Sequence, residues 1–201
     1  MNSVLCGLRV GNGYDVHVLR EGLPMRLCGV DIPSAKGFVA HSDGDVAIHA
    51  LCDAILGAAA LGDIGLHFPD SDPRFKGIDS RELLKCVVEM VSGEGAPSAS
   101  LRFAPCPGKW SAEGLPSPET AANTSPENGF EIVNVDITIA LQEPKLRPHI
   151  DAMRESLAQV MGIDKNRVSV KATTTERLGF VGRGEGCEVW ATVLLAAKNE
   201  K

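Results

Sequence analysis

The stretch Val133-Asn134-Val135-Asp136-Ile137-Thr138-Ile139-Ala140-Leu141 decides the fold class, because branched apolar residues recur at every second position with polar ones between them. A period of two places one set of side chains on a buried face and the other toward solvent, which is the pattern of a half-buried strand. Downstream, residues 148–161 read as an amphipathic helix with Pro148 near its first turn, and Val168 to Ala172 and Glu188 to Leu195 read as further strands. Upstream, two helices are expected. Residues 80–91 are opened by Asp79 or Ser80 as the cap, and the alanine-rich residues 45–61 are closed by Gly62. Short strands are expected at Leu27 to Val30 and Leu8 to Val10. Strands alternating with helices predict an α/β sandwich.

The chain has 201 residues, 44% of them hydrophobic, enough for one ordinary core, so residues 1–201 are read as a single domain. The segment 93–129 interrupts the pattern, since it holds six of the twelve prolines among many Gly, Ser, Ala and Thr. It is expected to be a disordered surface insertion rather than a lid. No run approaches the roughly 18 apolar residues of a membrane span, and no secretory pattern opens the sequence. Six widely spaced cysteines form no C-x-x-C pair and are read as reduced thiols. A net charge of −6 with 4% aromatic residues gives neither a basic stripe nor a stacking platform, which argues against a nucleic-acid partner.

Four constellations can carry chemistry. In Gly11-Asn-Gly-Tyr-Asp15-Val-His17, extended backbone puts Asp15 and His17 on one side. The glycines suggest a dinucleotide loop, but Val16 stands where the third glycine would be. In His41-Ser42-Asp43-Gly-Asp45-Val-Ala-Ile-His49, the histidine lies in an apolar helix, with Asp45 and Asp53 four residues to either side as candidates to orient its ring. Asp15, His17 and His49 together make an O/N donor set that leaves a fourth position open, as catalytic zinc sites do. His41, Ser42 and Asp43 are adjacent and therefore poorly placed for a hydrolytic triad; Ser42 or Asp43 as a helix cap is the plain alternative. The third constellation is the Gly/Pro loop from Gly62 to Pro73, which carries Asp63, Asp70 and Asp72. The fourth is Lys171-Ala-Thr173-Thr174-Thr175-Glu176, where Thr173 and Glu176 match a capping box and the hydroxyls suit a phosphate at a helix start. There Glu176 could face Mg²⁺, and Arg183 lies beyond it among glycines.

In this order, the Gly13–His17 segment, residues 40–65, Phe68-Pro-Asp70, Gln142-Glu-Pro-Lys145, Pro148-His-Ile150 and residues 171–186 resemble the 2-C-methyl-D-erythritol 2,4-cyclodiphosphate synthase family over nearly the whole chain. The resemblance implies one mixed four- to five-stranded sheet with helices on one face, ferredoxin-like, assembling as a homotrimer with active sites between subunits. It also implies a lyase reaction of non-mevalonate isoprenoid biosynthesis, in which a CDP-bearing substrate closes to a cyclic diphosphate with loss of CMP. Asp15, His17 and His49 would hold Zn²⁺, and Glu176 would hold Mg²⁺ or Mn²⁺ with the diphosphate. His41 and Thr174 would flank the reacting phosphates. Ser42, Asp63, Ile64, Gly65, Phe68, Pro69, Asp70, Ser71 and Asp72, with Asp15 and His17, would contact the methylerythritol phosphate end. Leu141, Gln142, Glu143, Pro144, Lys145, Leu146, Thr173 and Thr175 would enclose the cytidine end, with Phe180 and Arg183 as further contacts. The expected setting is a bacterial cytoplasm or, with a transit peptide removed, a plastid-type organelle. Asn12 departs from a common histidine, Leu66-His67 from a basic-apolar pair, and residues 93–129 from compact members.

Overall fold

The computed structural model describes residues 7–69, 71–93 and 129–198. Asp70 and nearly all of the Pro-rich segment therefore lie outside the described residues. Strand β1 (Leu8–Glu21) is followed by β2 (Met25–Leu27), β3 (Val30–Ile32) and β4 (Lys36–Phe38), then helices α1 (Val46–Ala58), α2 (Ile64–His67) and α3 (Ser80–Ser92). After the undescribed segment come β5 (Phe130–Ala140), α4 (Ile150–Met161), β6 (Val168–Thr173), α5 (Gly179–Gly182) and β7 (Gly186–Ala197).

Among the described residues five strands form one mixed sheet in the order β4-β1-β7-β5-β6; of these only β5 and β6 run parallel, and α4 makes the crossover that parallel pairing needs. The expected mixed sheet is thus present. Its connectivity is not the strand-helix-strand-strand-helix-strand order of a ferredoxin-like fold. The four-residue α5 is too short to cross over between β6 and β7, so β7 turns back and inserts antiparallel between β1 and β5. The long helices cover one face, where Ile48, Leu51 and Ile55 of α1, Leu84 of α3 and Met153 and Leu157 of α4 meet Ile137, Ile139 and Leu195 of the sheet, all of them fully buried.

Three local expectations change. Leu27 to Val30 is the turn between β2 and β3, not a strand, with Cys28 and Gly29 both at positive φ (54° and 77°). A bulge in β5 between Ile132 and Asn134 moves Val133 out of the buried series and puts Ile132 into it. Cys86 is disulfide-bonded, against the reading of reduced thiols, while Cys28, Cys52 and Cys187 are free and buried. At the edge of the undescribed segment, a Cβ on Gly129 would fall 2.3 Å from the backbone of Ser92, so the chain leaves α3 and enters β5 at one place.

Candidate metal centre and active site

Along β1, positions 11, 13, 15, 17 and 19 (Gly11, Gly13, Asp15, His17 and Leu19) face the helices, and Val10, Asn12, Tyr14, Val16 and Val18 face outward. The two glycines are there for contact with α1. A Cβ on Gly11 would lie 1.8 Å from the Ala54 carbonyl oxygen, and one on Gly13 would lie 1.9 Å from that of Ala50. Only glycine lets the helix backbone rest on the strand. That close approach carries His49, one residue before Ala50, against Asp15 and His17, and the three donor sets lie within 4.8 Å of one another.

Hydrogen bonds on the far side of each ring fix where its lone pair points. His17 Nδ1 is 3.0 Å from the Gly44 carbonyl oxygen, which can only accept, so Nδ1 carries the proton and Nε2 faces Asp15 Oδ2 at 3.0 Å. His49 Nε2 is 3.0 Å from Ser80 Oγ and 3.3 Å from Ser42 Oγ, and its Nδ1 is 3.3 Å from the same Asp15 oxygen. Asp15 Oδ1 accepts the Val16 amide at 2.8 Å, but Oδ2 is buried and, among the described residues, has no hydrogen-bond partner. Two ring nitrogens and a carboxylate oxygen converge with no proton assigned among them. That donor set fits a divalent cation of the borderline class. The carboxylate and the two rings are also coupled to one another as opposite charges. Burial raises the Asp15 carboxyl, but His17 and His49 outweigh it and hold it well below the usual carboxylate range. Burial lowers His49, yet Asp15 and the carboxylates beyond it raise it overall.

The two aspartates expected to orient His49 do other work. Asp45 is fully buried as the cap of α1, accepting Ile48 N–H at 3.1 Å and Cys28 N–H at 2.9 Å on Oδ1 and Gly29 N–H at 2.6 Å on Oδ2. Asp53 accepts Ile64 N–H at 2.7 Å and so ties the α2 loop to α1. Spacing along the helix placed both beside His49, but unpaired backbone N–H groups lay closer.

A cleft of about 400 Å³ opens over the three ligands. It gathers His41, Ser42, Ile64, Gly65, Phe68, Ser71 and Asp72 from the expected set. Asp63 caps α2 through Leu66 N–H instead of lining the cleft, and Pro69 is also outside the lining. A second cleft, of about 310 Å³, is lined by Leu141, Gln142, Lys145, Leu146, Thr173 and Thr174 together with Lys171. Glu143 and Pro144, joined by a cis peptide bond, fall outside that lining, as do Thr175 and Glu176. The two clefts share no residue, so within one chain His41 and Thr174 are not brought together.

The capping box does not form, because Thr173 still belongs to β6 and the next helix, α5, starts at Gly179. Glu176 and Arg177 both take positive φ (51° and 64°), and the sharp turn directs Thr174 Oγ1 to donate to Glu176 at 2.9 Å and the Arg177 amide to donate to Gln142 at 3.3 Å. Phe180 packs over Gly186, and Arg183 pairs with Glu185 at 2.9 Å. Sequence reading missed Gly44 and Ser80 as groups that hold the ring nitrogens, and Asp43 as the acceptor behind Ser80. One signal was available: α3 has two capping residues in a row, Asp79 and Ser80, and Asp79 takes the cap, which leaves the Ser80 hydroxyl free.

A profile of the YgbB family matches residues 8–101 and 116–196, with its break inside the Pro-rich segment. The chain is 48% identical over 188 residues to the 2-C-methyl-D-erythritol 2,4-cyclodiphosphate synthase of Pseudoalteromonas atlantica (94% of this chain, 95% of that one). It is 50% identical over 190 residues to the protein of the same name from Methylococcus capsulatus (94% and 99%). Among solved structures, the bifunctional IspDF of Campylobacter jejuni superimposes with a TM-score of 0.74 at 40% identity, covering 96% of this chain and 43% of that one. A CDP-bound form of 2C-methyl-D-erythritol-2,4-cyclodiphosphate synthase gives 0.70 at 35% identity, covering 93% and 99%.

Proposed function

We propose, from the premise that this chain belongs to the YgbB family, that it converts 4-diphosphocytidyl-2-C-methyl-D-erythritol 2-phosphate to 2-C-methyl-D-erythritol 2,4-cyclodiphosphate and CMP. The observation that carries the reading is the buried Asp15 Oδ2 without a proton donor, facing a lone pair on each of two histidine rings. Asp15, His17 and His49 would hold one Zn²⁺, and Glu176, through the diphosphate, one Mg²⁺ or Mn²⁺. When bound, these cations supply charge neutralisation and polarisation at the phosphorus under attack and at the leaving phosphate.

The chain's own residues bind and align. A 2-phosphate oxygen of the substrate forms a bond to the β-phosphorus, the bond from that phosphorus to the bridging oxygen breaks, and CMP leaves with the electron pair. The nucleophile is already an anion, so no general base is required. Holding it against the β-phosphorus recovers about 7–11 kcal/mol of barrier, as intramolecular reactions do. Ser42, Ile64, Gly65 and Phe68 would seat the methylerythritol end over the metal, with His41 beside the phosphates. Gln142, Lys145, Leu146 and Thr173 would seat the cytidine end, with Thr174 at the diphosphate.

Ser42, His49 and Asp15 also stand in the order of a hydrolytic triad. Ser80 argues against that role: its one proton is directed to Asp43 at 2.5 Å, so toward His49 it can only accept, and His49 Nε2 must donate. A protonated Nε2 cannot take a proton from Ser42.

Because the two clefts are separate in one chain, a complete site would join the metal cleft of one subunit to the nucleotide cleft of another. The open sheet face supports such assembly as a homotrimer. Val10 is 70% and Val18 60% exposed there, beside Tyr14 and Trp190 with ring centroids 5.4 Å apart. Bacterial relatives support a cytoplasmic setting. Incubation with the CDP-methylerythritol phosphate substrate, followed by ³¹P NMR and mass spectrometry, tests the reaction. A cyclic diphosphate with CMP, abolished by chelator and restored by metal, is expected; a product heavier by one water would instead show a hydrolase.

A further inference from the structure

We infer that Asp43, acting through Ser80, is the positioning residue that fixes His49 as its Nε2–H tautomer and so aims the Nδ1 lone pair at the metal position. Asp43 does not touch the cleft's three ligands. Its Oδ1 accepts the Ser80 hydroxyl at 2.5 Å and the Asp45 amide at 3.2 Å, and its Oδ2 accepts the Ser80 amide at 3.1 Å and lies 3.5 Å from Arg26 Nη1. Every group around the carboxylate is a donor, so the carboxylate acts as an acceptor only. Arg26 is itself held by Asp31 at 2.8 Å and Asp79 at 3.1 Å, which anchors the acceptor from behind.

The rest follows from counting protons. Ser80 has one hydroxyl proton, and Asp43 takes it. The lone pairs left on Ser80 Oγ can only accept, and they lie 3.0 Å from His49 Nε2, so that nitrogen must be the protonated one. Ser80 is fully buried, and no bulk water competes for the contact. The same turn sets the other ring, because the Gly44 carbonyl fixes His17 Nδ1–H in the same way. Residues 43 and 44 thus set both tautomers, one directly and one through the first residue of α3. Outer partners of this kind raise ligand basicity and orient the ring, and their loss typically lowers metal affinity about 10–100-fold.

The inference rests on reading Asp15, His17 and His49 as a metal site, and its test separates the two. Long-range ¹H–¹⁵N NMR of the metal-free protein reports which nitrogen of His49 is protonated, and zinc titration against a competing chelator reports affinity. The parent protein should show the Nε2–H form and bind zinc. Ser80→Ala should give mixed tautomers and zinc binding about 10–100-fold weaker. Asp43→Asn should weaken binding in the parent but add almost nothing in the Ser80→Ala background, because it acts through Ser80. Should Ser80→Ala not fold, Asp43→Asn alone, read by the same NMR signal, carries the test. A His49 still wholly in the Nε2–H form in the folded variants, or equal losses from Asp43→Asn in both backgrounds, overturns the inference. A parent that shows the expected tautomer but binds no zinc overturns the metal reading instead.

Discussion

Asp45 and Asp15 are both drawn into the protein where α1 meets β1, and they end in opposite states. Asp45 is fully buried, and backbone N–H groups of Ile48, Cys28 and Gly29 supply both its oxygens with donors. Asp15 keeps one buried oxygen that no N–H or O–H reaches. An unsatisfied buried acceptor costs about 1–3 kcal/mol, so the contrast separates a carboxylate that stabilises the fold from one kept ready for a cation. The surroundings follow the same division. Asp45 ties the start of α1 to the turn after β2, whereas Asp15 faces only ring nitrogens whose protons are directed away from it.

The strongest way to break this contrast is to remove the contact that creates both environments. Gly13→Ala puts a Cβ about 1.9 Å from the Ala50 carbonyl oxygen, and α1 cannot stay on β1. We expect a loss above about 4 kcal/mol or failure to fold, read by urea unfolding followed by circular dichroism. Next, Asp45→Ala leaves three N–H groups without an acceptor, one of them the capping N–H of α1. A loss of about 3–5 kcal/mol is expected in the same assay, and a loss below about 1 kcal/mol would mean the cap is not what holds α1. Asp15→Ala should cost less in chelator than Asp45→Ala, since only the two histidines, and no backbone N–H, face its buried oxygen. Its zinc affinity, however, should fall further than the roughly 10–100-fold expected for an outer partner.

The smallest effect should come from Asp31, an exposed carboxylate that Arg26 holds below the usual aspartate range. Asp31→Asn is expected to cost no more than about 0.5 kcal/mol at neutral pH. A lowered carboxyl contributes stability above its unfolded value and loses it as pH falls through the folded one. The difference from the parent should therefore vanish below the ordinary aspartate range, as parallel urea titrations at two pH values would show.

Much of this was legible in the sequence, and the failures share a cause. The two-residue spacing of Asp15 and His17 and the helix carrying His49 were readable because each depends on local periodicity. The full length of β1 was not, because its inward face begins with glycines where a strand usually buries branched side chains, and Val10, Val16 and Val18 lie on its outer face. Leu27 to Val30 looked apolar enough for a strand, but Asp45 captures the Cys28 and Gly29 amides and bends the chain into a turn. Asp45 and Asp53 were correctly placed near His49 yet wrongly employed, since spacing alone does not show which backbone groups lack partners. Ser80 showed only as a spare capping residue, and its role did not, for a related reason: its partners come from residues 43 and 49, far away in the chain.

X-ray absorption at the zinc edge on protein loaded with one equivalent of metal tests the central claim most directly. The account predicts a shell of two imidazole nitrogens and oxygen at about 2.0–2.2 Å with no sulfur, and its collapse in Asp15→Ala. A sulfur contribution near 2.3 Å, or the same shell in the Asp15→Ala protein, would contradict it.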